Sequence, residues 1–158
     1  MTLQLIEERL KSYRINNKQD ELNALKEIAQ EIALLALSRT DFFKQAAFQG
    51  GTCLRIVHAL PRFSEDLDFV LFKPQKDFQW SSYLKELEVD FESFGLQLTL
   101  IDRSAADGNI KKAFIKEESF GKVLALKYPR NISDPQKIQI KLEVDINPPE
   151  GSEAKATL

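Results

Sequence analysis

The stretch that most constrains the fold is KIQIKLEVDI, residues 137–146. Apolar side chains occupy every second position, and each polar or charged residue stands between two of them. Because side chains alternate between the two faces of a strand, this pattern predicts a strand with one apolar face in the core. The opposite face would then carry Lys141, Glu143 and Asp145 in a row.

Shorter patterns predict the other elements. Apolar spacings of three or four predict helices over 2–14, 20–38, 52–60 and 77–94, with one further turn of helix after Thr40 and Asp41. Apolar or alternating runs predict strands at AAFQ (46–49), LDFVLF (67–72), LQLTLI (96–101), KAFIK (112–116) and KVLALKY (122–128). The prediction is an α+β chain: a mixed sheet flanked by helices, with N-terminal helices at 2–38 and a core at about 40–147. We assign residues 1–158 to one domain.

Composition excludes several classes of function. The 22 basic and 24 acidic residues create no global positive field for a polyanion, although a local patch is compatible with them. Cys53 is the single cysteine, so the chain forms no internal disulfide. Cys53 and the single histidine, His58, also supply fewer sulfur and nitrogen ligands than a usual zinc site needs. His58 is better explained as a helix-packing residue than as a catalytic base. No signal-peptide core or membrane-length apolar window is present, so we expect a cytoplasmic protein.

Two aspartates mark the entry to the strand LDFVLF. Asp66 and Asp68 are two positions apart, so the pleat directs both carboxylates to one face, whereas Glu65 points to the other. Two ionised carboxylates so placed need a cation, an arginine or a shared proton. Hard divalent metals such as Mg²⁺ prefer oxygen ligands of this kind. One carboxylate of the row at 141–145 would join them if the two strands are neighbours.

A glycine turn precedes these acids. Gly50 and Gly51 follow a predicted strand, and Thr52 opens a predicted helix. Glycines allow a backbone to approach an anion closely, and the helix N-terminus presents unpaired N–H groups to a phosphate. Gly-Gly before a helix is also a common plain turn, so this feature alone is weak evidence.

Structural explanations stay open for each of these features. The acids at 65–68 would also suit a solvated strand entry, and the acidic row at 141–145 would suit the wet face of an edge strand. Arg55 and Arg62 would then only neutralise the nearby acids.

The combination of motifs resembles one known family. GGT, thirteen residues and then DLDF resemble the nucleotidyltransferase signature, and GGTCLR…LPRFSEDLDF with IKLEVDIN is similar to the AbiEii/AbiGii, or MenT-like, toxins. The resemblance implies a nucleotidyltransferase fold and transfer of a nucleotide from an NTP to an acceptor, in some members the 3′ end of a tRNA. It also implies a toxin–antitoxin or abortive-infection role, and therefore a cognate antitoxin.

The resemblance also implies site roles. Gly50, Gly51, Thr52 and Ser64 would contact the nucleotide phosphates, which Arg55 or Lys141 would steady. Asp66 and Asp68 would bind Mg²⁺ or Mn²⁺, with Glu143 as the third metal-binding acid. Asp145 is the substitute for Glu143 on the same face, and either one would orient or deprotonate the acceptor.

Members of the family run to nearly twice this length. Their helical C-terminal part carries a lysine and an Arg-Asp segment, and we expect this chain to correspond to the N-terminal catalytic part without that domain. The alternative function is therefore a nucleotide-binding or partner-binding module without catalysis. A hydrolase built on the same acids is a third hypothesis.

Overall fold

The fold is described from a computed structural model. It covers residues 3–59, 63, 65–104, 108–117, 119–120, 124, 126, 128 and 138–148. The five described helices are α1 (Leu3–Lys11), α2 (Lys18–Ser38), α3 (Phe42–Gln45), α4 (Gly50–His58) and α5 (Ser81–Ser93). The five described strands are β1 (Ala46–Gln49), β2 (Leu67–Leu71), β3 (Leu98–Asp102), β4 (Ile110–Glu117) and β5 (Ile138–Asp145).

The strands form one mixed sheet in the order β1-β2-β5-β4-β3. β2 pairs with β5 in parallel, and the other three pairings are antiparallel. The predicted α+β class with a mixed sheet is therefore confirmed. β5 is the central strand, so the alternative that its acidic row lines an edge strand is wrong.

The alternation in β5 produces the predicted division between its faces. Its apolar residues from Ile138 to Val144 are at most 1% exposed, whereas Gln139 is exposed and the three charged residues are partly exposed. Helices α2 and α5 contribute buried apolar residues to the same core as this face of the sheet. The opposite face is therefore left for charged side chains.

Three helices, α1, α4 and α5, have boundaries that differ from the predictions. α1 ends at Lys11 rather than 14. α4 runs from Gly50 to His58 rather than over 52–60, because Ala59 adopts the left-handed conformation (φ 56°) and its N–H bonds to the carbonyl of Leu54. α5 begins at Ser81 rather than 77, because buried Trp80 donates its backbone N–H to Ser104 Oγ (2.8 Å).

Three predicted local features are confirmed. α2 begins close to the predicted start, with the side chain of Asn17 accepting a hydrogen bond from the N–H of Asp20 (2.8 Å). The predicted end of α5 at residue 94 lies one residue from the observed end at Ser93, after which Gly95 (φ 79°) adds the hydrogen bonds of a helix C-cap. The turn of helix after Thr40 is α3, where Thr40 Oγ1 accepts from the N–H of Phe42 (3.1 Å).

The predicted strand at 122–128 lies largely outside the described residues. Of its members only Leu124, Leu126 and Tyr128 are described, and none of these three is in a strand. The N–H of Leu124 instead bonds to the carbonyl of Phe120 (2.9 Å), which is a helical spacing. The assignment of 1–158 to a single domain stays a prediction. Within the described part of the chain, no helix has the length and apolarity to cross a membrane.

Candidate active site

The turn between β1 and α4 brings the backbone against an acid. Gly50 has a φ of +83°, which L side chains rarely adopt. A Cβ at Gly50 would lie 2.6 Å from Oδ2 and 3.2 Å from Cβ of Asp68. Only glycine therefore lets the start of α4 contact the carboxylate of β2 this closely.

The parallel pairing of β2 and β5 brings the predicted acids together. In its register Asp68 is the partner of Glu143, and Val70 is the partner of Asp145. Residues paired across two strands point to the same face, so Asp68, Glu143 and Asp145 share the open face of the sheet. The condition that the two strands be neighbours is met, and Glu143 is the acid directly opposite Asp68.

The acids on this face perturb one another. The pKa of Asp68 is raised above its ordinary value, first by burial and then by the negative charges of Glu143 and Asp66. A hydrogen bond between the Asp68 and Glu143 side chains acts in the same direction. Burial and the neighbouring negative charges therefore both disfavour the ionised form of Asp68.

Lys141 adds a positive charge beside these acids. The Nζ of Lys141 lies 3.0 Å from Oε1 of Glu143 and 3.5 Å from Oδ2 of Asp66. These contacts raise the pKa of Lys141, with the hydrogen bond to Glu143 as the largest cause. Lys112 of β4, the register partner of Glu143, approaches the same Oε1 at 4.0 Å. Lys141, which was predicted to bind phosphates, therefore pairs with Asp66 and Glu143 in this structure.

A cleft of about 270 Å³ opens beside the acids. It is bounded by both the glycine turn and the acidic face. Its lining residues are Gln49, Gly50, Asp68, Phe69, Ile110, Glu143 and Asp145.

Three residues at the site, Gln49, Ile110 and Lys112, carry no sequence motif that marks them as site residues. Gln49 ends β1 directly before the glycine pair, and that position could have suggested it. Ile110 and Lys112 reach the site only because β4 pairs with β5, a register that no local pattern indicates.

The remaining predicted site residues occupy different surroundings. Thr52 is fully buried, and its hydroxyl donates to the backbone carbonyl of Asp66. Arg55 donates to Oε2 of Glu27 (2.9 Å), an acid of α2. Gly51 is exposed in the first turn of α4. Ser64, like Arg62, lies outside the described residues.

The donor set fits a magnesium ion held partly by substrate. Among the described residues, no group of three or more His, Cys, Asp or Glu side chains is arranged to hold a metal ion. Mg²⁺ in nucleotide enzymes is commonly bound by one or two carboxylates plus phosphate oxygens, and Asp66 and Asp68 supply that minimum. Burial and the neighbouring acids raise the pKa of Asp68, and a cation bound beside it would act in the opposite direction. The metal roles of Asp66, Asp68 and Glu143 stay predictions.

Comparison with known proteins identifies the family. The family described as "Nucleotidyl transferase AbiEii toxin, Type IV TA system" matches residues 32–155, which include the glycine turn and the five described strands. The chain belongs to this AbiEii family. The resemblance drawn from the motifs is therefore confirmed, and the chain is a member of a nucleotidyltransferase family.

Two crystal structures from Helicobacter pylori share the AbiEii chain's fold. One is a protein provisionally assigned as a nucleotidyltransferase, with a TM-score of 0.56, 19% identity and coverage of 90% of this chain and 52% of its own. The other is JHP933, with a TM-score of 0.52, 17% identity and coverage of 90% and 50%. The chain thus spans about half the length of both. No curated protein matches it.

Proposed function

We propose that this AbiEii chain carries the transfer site of a Mg²⁺-dependent nucleotidyltransferase toxin, which moves a nucleotide from an NTP to an acceptor such as the 3′ end of a tRNA. The observation that best supports this proposal is that Asp68 pairs with Glu143 on the open face and lies against the backbone of Gly50. A cytoplasmic location, where NTPs and tRNA occur, and a cognate antitoxin partner belong to the same proposal. Mn²⁺ is the alternative ion.

In this proposal the acids of the open face have separate roles. Asp66 and Asp68, with Glu143 as the third acid, would hold the metal, which when bound supplies positive charge against the charge developing on the α-phosphate and the leaving oxygen. The cleft beside Gly50, which the glycine turn and the acidic face bound, receives the triphosphate. Glu143 or Asp145 then orients the acceptor hydroxyl.

In the transfer step, one bond to the α-phosphorus forms and another breaks. The acceptor oxygen forms a bond to the α-phosphorus, and the bond from that phosphorus to its bridging oxygen breaks, so that pyrophosphate leaves with the electron pair. The hydroxyl proton passes to a carboxylate oxygen of Glu143 or Asp145. Lys141, 3.0 Å from Glu143, is near enough to the acids to donate to phosphate oxygens as well.

The test is transfer by the full-length protein. Each α-³²P-labelled NTP is incubated with Mg²⁺ and total tRNA, and the label in RNA is counted for the wild type, Asp66→Asn and Asp68→Asn. We expect both variants to lose transfer by on the order of 10³-fold, since they remove charge stabilisation at the reacting phosphate. Glu65→Gln is the matched control, because this neighbouring side chain is 82% exposed and pairs with Lys26. Full transfer by Asp68→Asn would contradict the mechanism.

A second candidate is a nucleotide-binding or partner-binding module without catalysis. The observation that favours it is the position of Lys141, whose ammonium already pairs with two of the acids. Such a module would bind an NTP in equilibrium dialysis without labelling any RNA. Release of pyrophosphate or phosphate without an acceptor would instead indicate a hydrolase.

A further inference from the structure

A buried acid on α2 lies outside the candidate active site. The side chain of Glu27 is only 7% exposed. Its Oε2 accepts from Nε of Arg55 (2.9 Å), and its Oε1 accepts from the hydroxyl of Tyr13 (2.8 Å) and lies 3.6 Å from Arg9. A buried carboxylate needs partners of this kind, and here they come from α1 and α4.

The pairing with Glu27 sets the position of the Arg55 guanidinium. Its Cζ lies 4.1 Å from the centroid of the Phe63 ring, a cation–π contact. The ring of Tyr13 lies 6.2 Å from the same ring. Phe63 is thereby held between the Glu27 cluster and the strand entry, three residues before Asp66.

α4 holds this segment at two points. Thr52 and Arg55 are three residues apart, so both side chains lie on neighbouring parts of one helix face. Thr52 donates to the carbonyl of Asp66, while Arg55 stacks on Phe63. From α2, Lys26 adds an ion pair to exposed Glu65 (3.7 Å).

We propose that Glu27 is a positioning residue, which through Arg55 and Phe63 sets the path of the chain into the acid pair at Asp66 and Asp68. The catalytic consequence rests on the proposed function, whereas the structural consequence does not. Without the carboxylate, the guanidinium loses the charge that fixes its plane, and Phe63 loses the surface on which it stacks. A displacement of about 1 Å in a reacting group costs on the order of 10²-fold in rate.

The experiment uses the full-length protein and two variants. Glu27→Gln keeps the shape and an acceptor for Tyr13 but removes the negative charge. Phe63→Leu keeps the Glu27–Arg55 pair but removes the ring. The matched controls are Glu31→Gln and Phe72→Leu. Glu31 lies on the same helix as Glu27 and would lose its bidentate pair with Arg9 of α1, whereas Phe72→Leu alters an exposed ring beyond the other end of β2. Glu27→Asp tests rescue by a shorter carboxylate.

The first readout is amide hydrogen exchange without substrate. We expect exchange at Phe63 and at 65–68 to accelerate about tenfold or more in Glu27→Gln and Phe63→Leu, with α2 and β5 nearly unchanged. Glu27→Asp should restore part of the protection, and both controls should match the wild type. Equal exchange at 63–68 in the wild type and both folded variants overturns the proposal, as does equal acceleration throughout the described helices.

The second readout is the rate of transfer. In Glu27→Gln and Phe63→Leu, displacement of Asp66 and Asp68 should lower kcat by about 10- to 100-fold, whereas the KM for the NTP should change less than threefold. A change in KM alone overturns the positioning role. If the wild type itself transfers nothing, the proposed function fails, and the exchange experiment still decides whether Glu27 positions the segment.

Discussion

At the scale of single residues, the decisive feature is a carboxyl group whose charge is disfavoured by its surroundings. Asp68 is partly buried, faces Glu143 across the β2–β5 pair and has Asp66 nearby on the chain. Burial and these two charges raise its pKa. A group whose pKa is raised by folding contributes stability below its unfolded-state pKa, and that contribution is lost as pH rises through the folded-state pKa.

We therefore expect Asp68→Asn to stabilise the protein in metal-free buffer. The gain at pH 7 should be about 0.5–1 kcal/mol, because partial exposure screens the repulsion. The gain should shrink as pH falls through the raised pKa of the folded-state carboxyl, and it should disappear below 3.8, the ordinary pKa of an aspartate. Urea unfolding at a series of pH values measures the difference.

With Mg²⁺ present, the wild type should instead be more stable than Asp68→Asn. An ion that binds the folded state raises the free energy of unfolding of the wild type, and this gain needs the Asp68 carboxylate. Glu65→Gln should change stability by less than about 0.5 kcal/mol in either buffer, as an exposed residue does. A less stable Asp68→Asn in metal-free buffer at pH 7 would contradict the electrostatic account.

At the scale of elements, α4 connects the glycine turn to the acids. It starts at Gly50 against Asp68, and it pairs with α2 through Arg55 and Glu27. The buried hydroxyl of Thr52 bonds to the carbonyl of Asp66 between these two contacts. A shift of α4 would therefore move both aspartates, because three separate contacts join the helix to this part of the chain.

Gly50→Ala should damage the fold and the site together. The φ of +83° costs an alanine about 1–3 kcal/mol of unfolding free energy, and the added Cβ displaces the carboxylate of Asp68. Gly108→Ala is the matched control, since its φ is +117° and a Cβ there meets nothing within 4 Å. Both variants should lose stability in thermal unfolding, but only Gly50→Ala should lose transfer. Equal transfer by the folded fractions of both would refute the contact argument.

At the scale of the whole molecule, one aromatic side chain joins three parts of the fold. Phe42 of α3 is fully buried, and its ring contacts Phe69 of β2, Trp80 before α5 and Tyr83 within α5, at centroid distances of 4.9, 5.3 and 5.2 Å. Phe69 immediately follows Asp68, so this cluster supports the acidic strand from the core side.

Phe42→Ala should lower the free energy of unfolding by about 3–5 kcal/mol, because it leaves a cavity among well-packed rings. Phe72→Ala is the control. That side chain is 42% exposed, and its loss should cost less than about 1 kcal/mol. Chemical denaturation followed by tryptophan fluorescence would report both, since Trp80 is fully buried in the cluster. Similar losses in the two variants would contradict this account of the core.

Much of the fold could be predicted from local patterns. The alternation at 138–145 identified β5 and its charged face, and helical spacing identified α2, because both depend on backbone geometry within one element. Boundaries were less predictable where tertiary contacts compete. The side chain of Trp80 is buried in the core, and α5 therefore starts at the next residue, Ser81.

The site divides in the same way. The sequence by itself determined that Asp66 and Asp68 share a face, that Glu143 and Asp145 share another strand's open face, and that a glycine turn precedes a helix, because these relations lie within a few residues of chain. Only the tertiary structure decided that Glu143 lies opposite Asp68, that Lys112 and Lys141 approach Glu143, and that Arg55 pairs with Glu27. The physical reason is that strand order and register depend on hydrogen bonds and packing between segments far apart in the chain, which no local periodicity specifies.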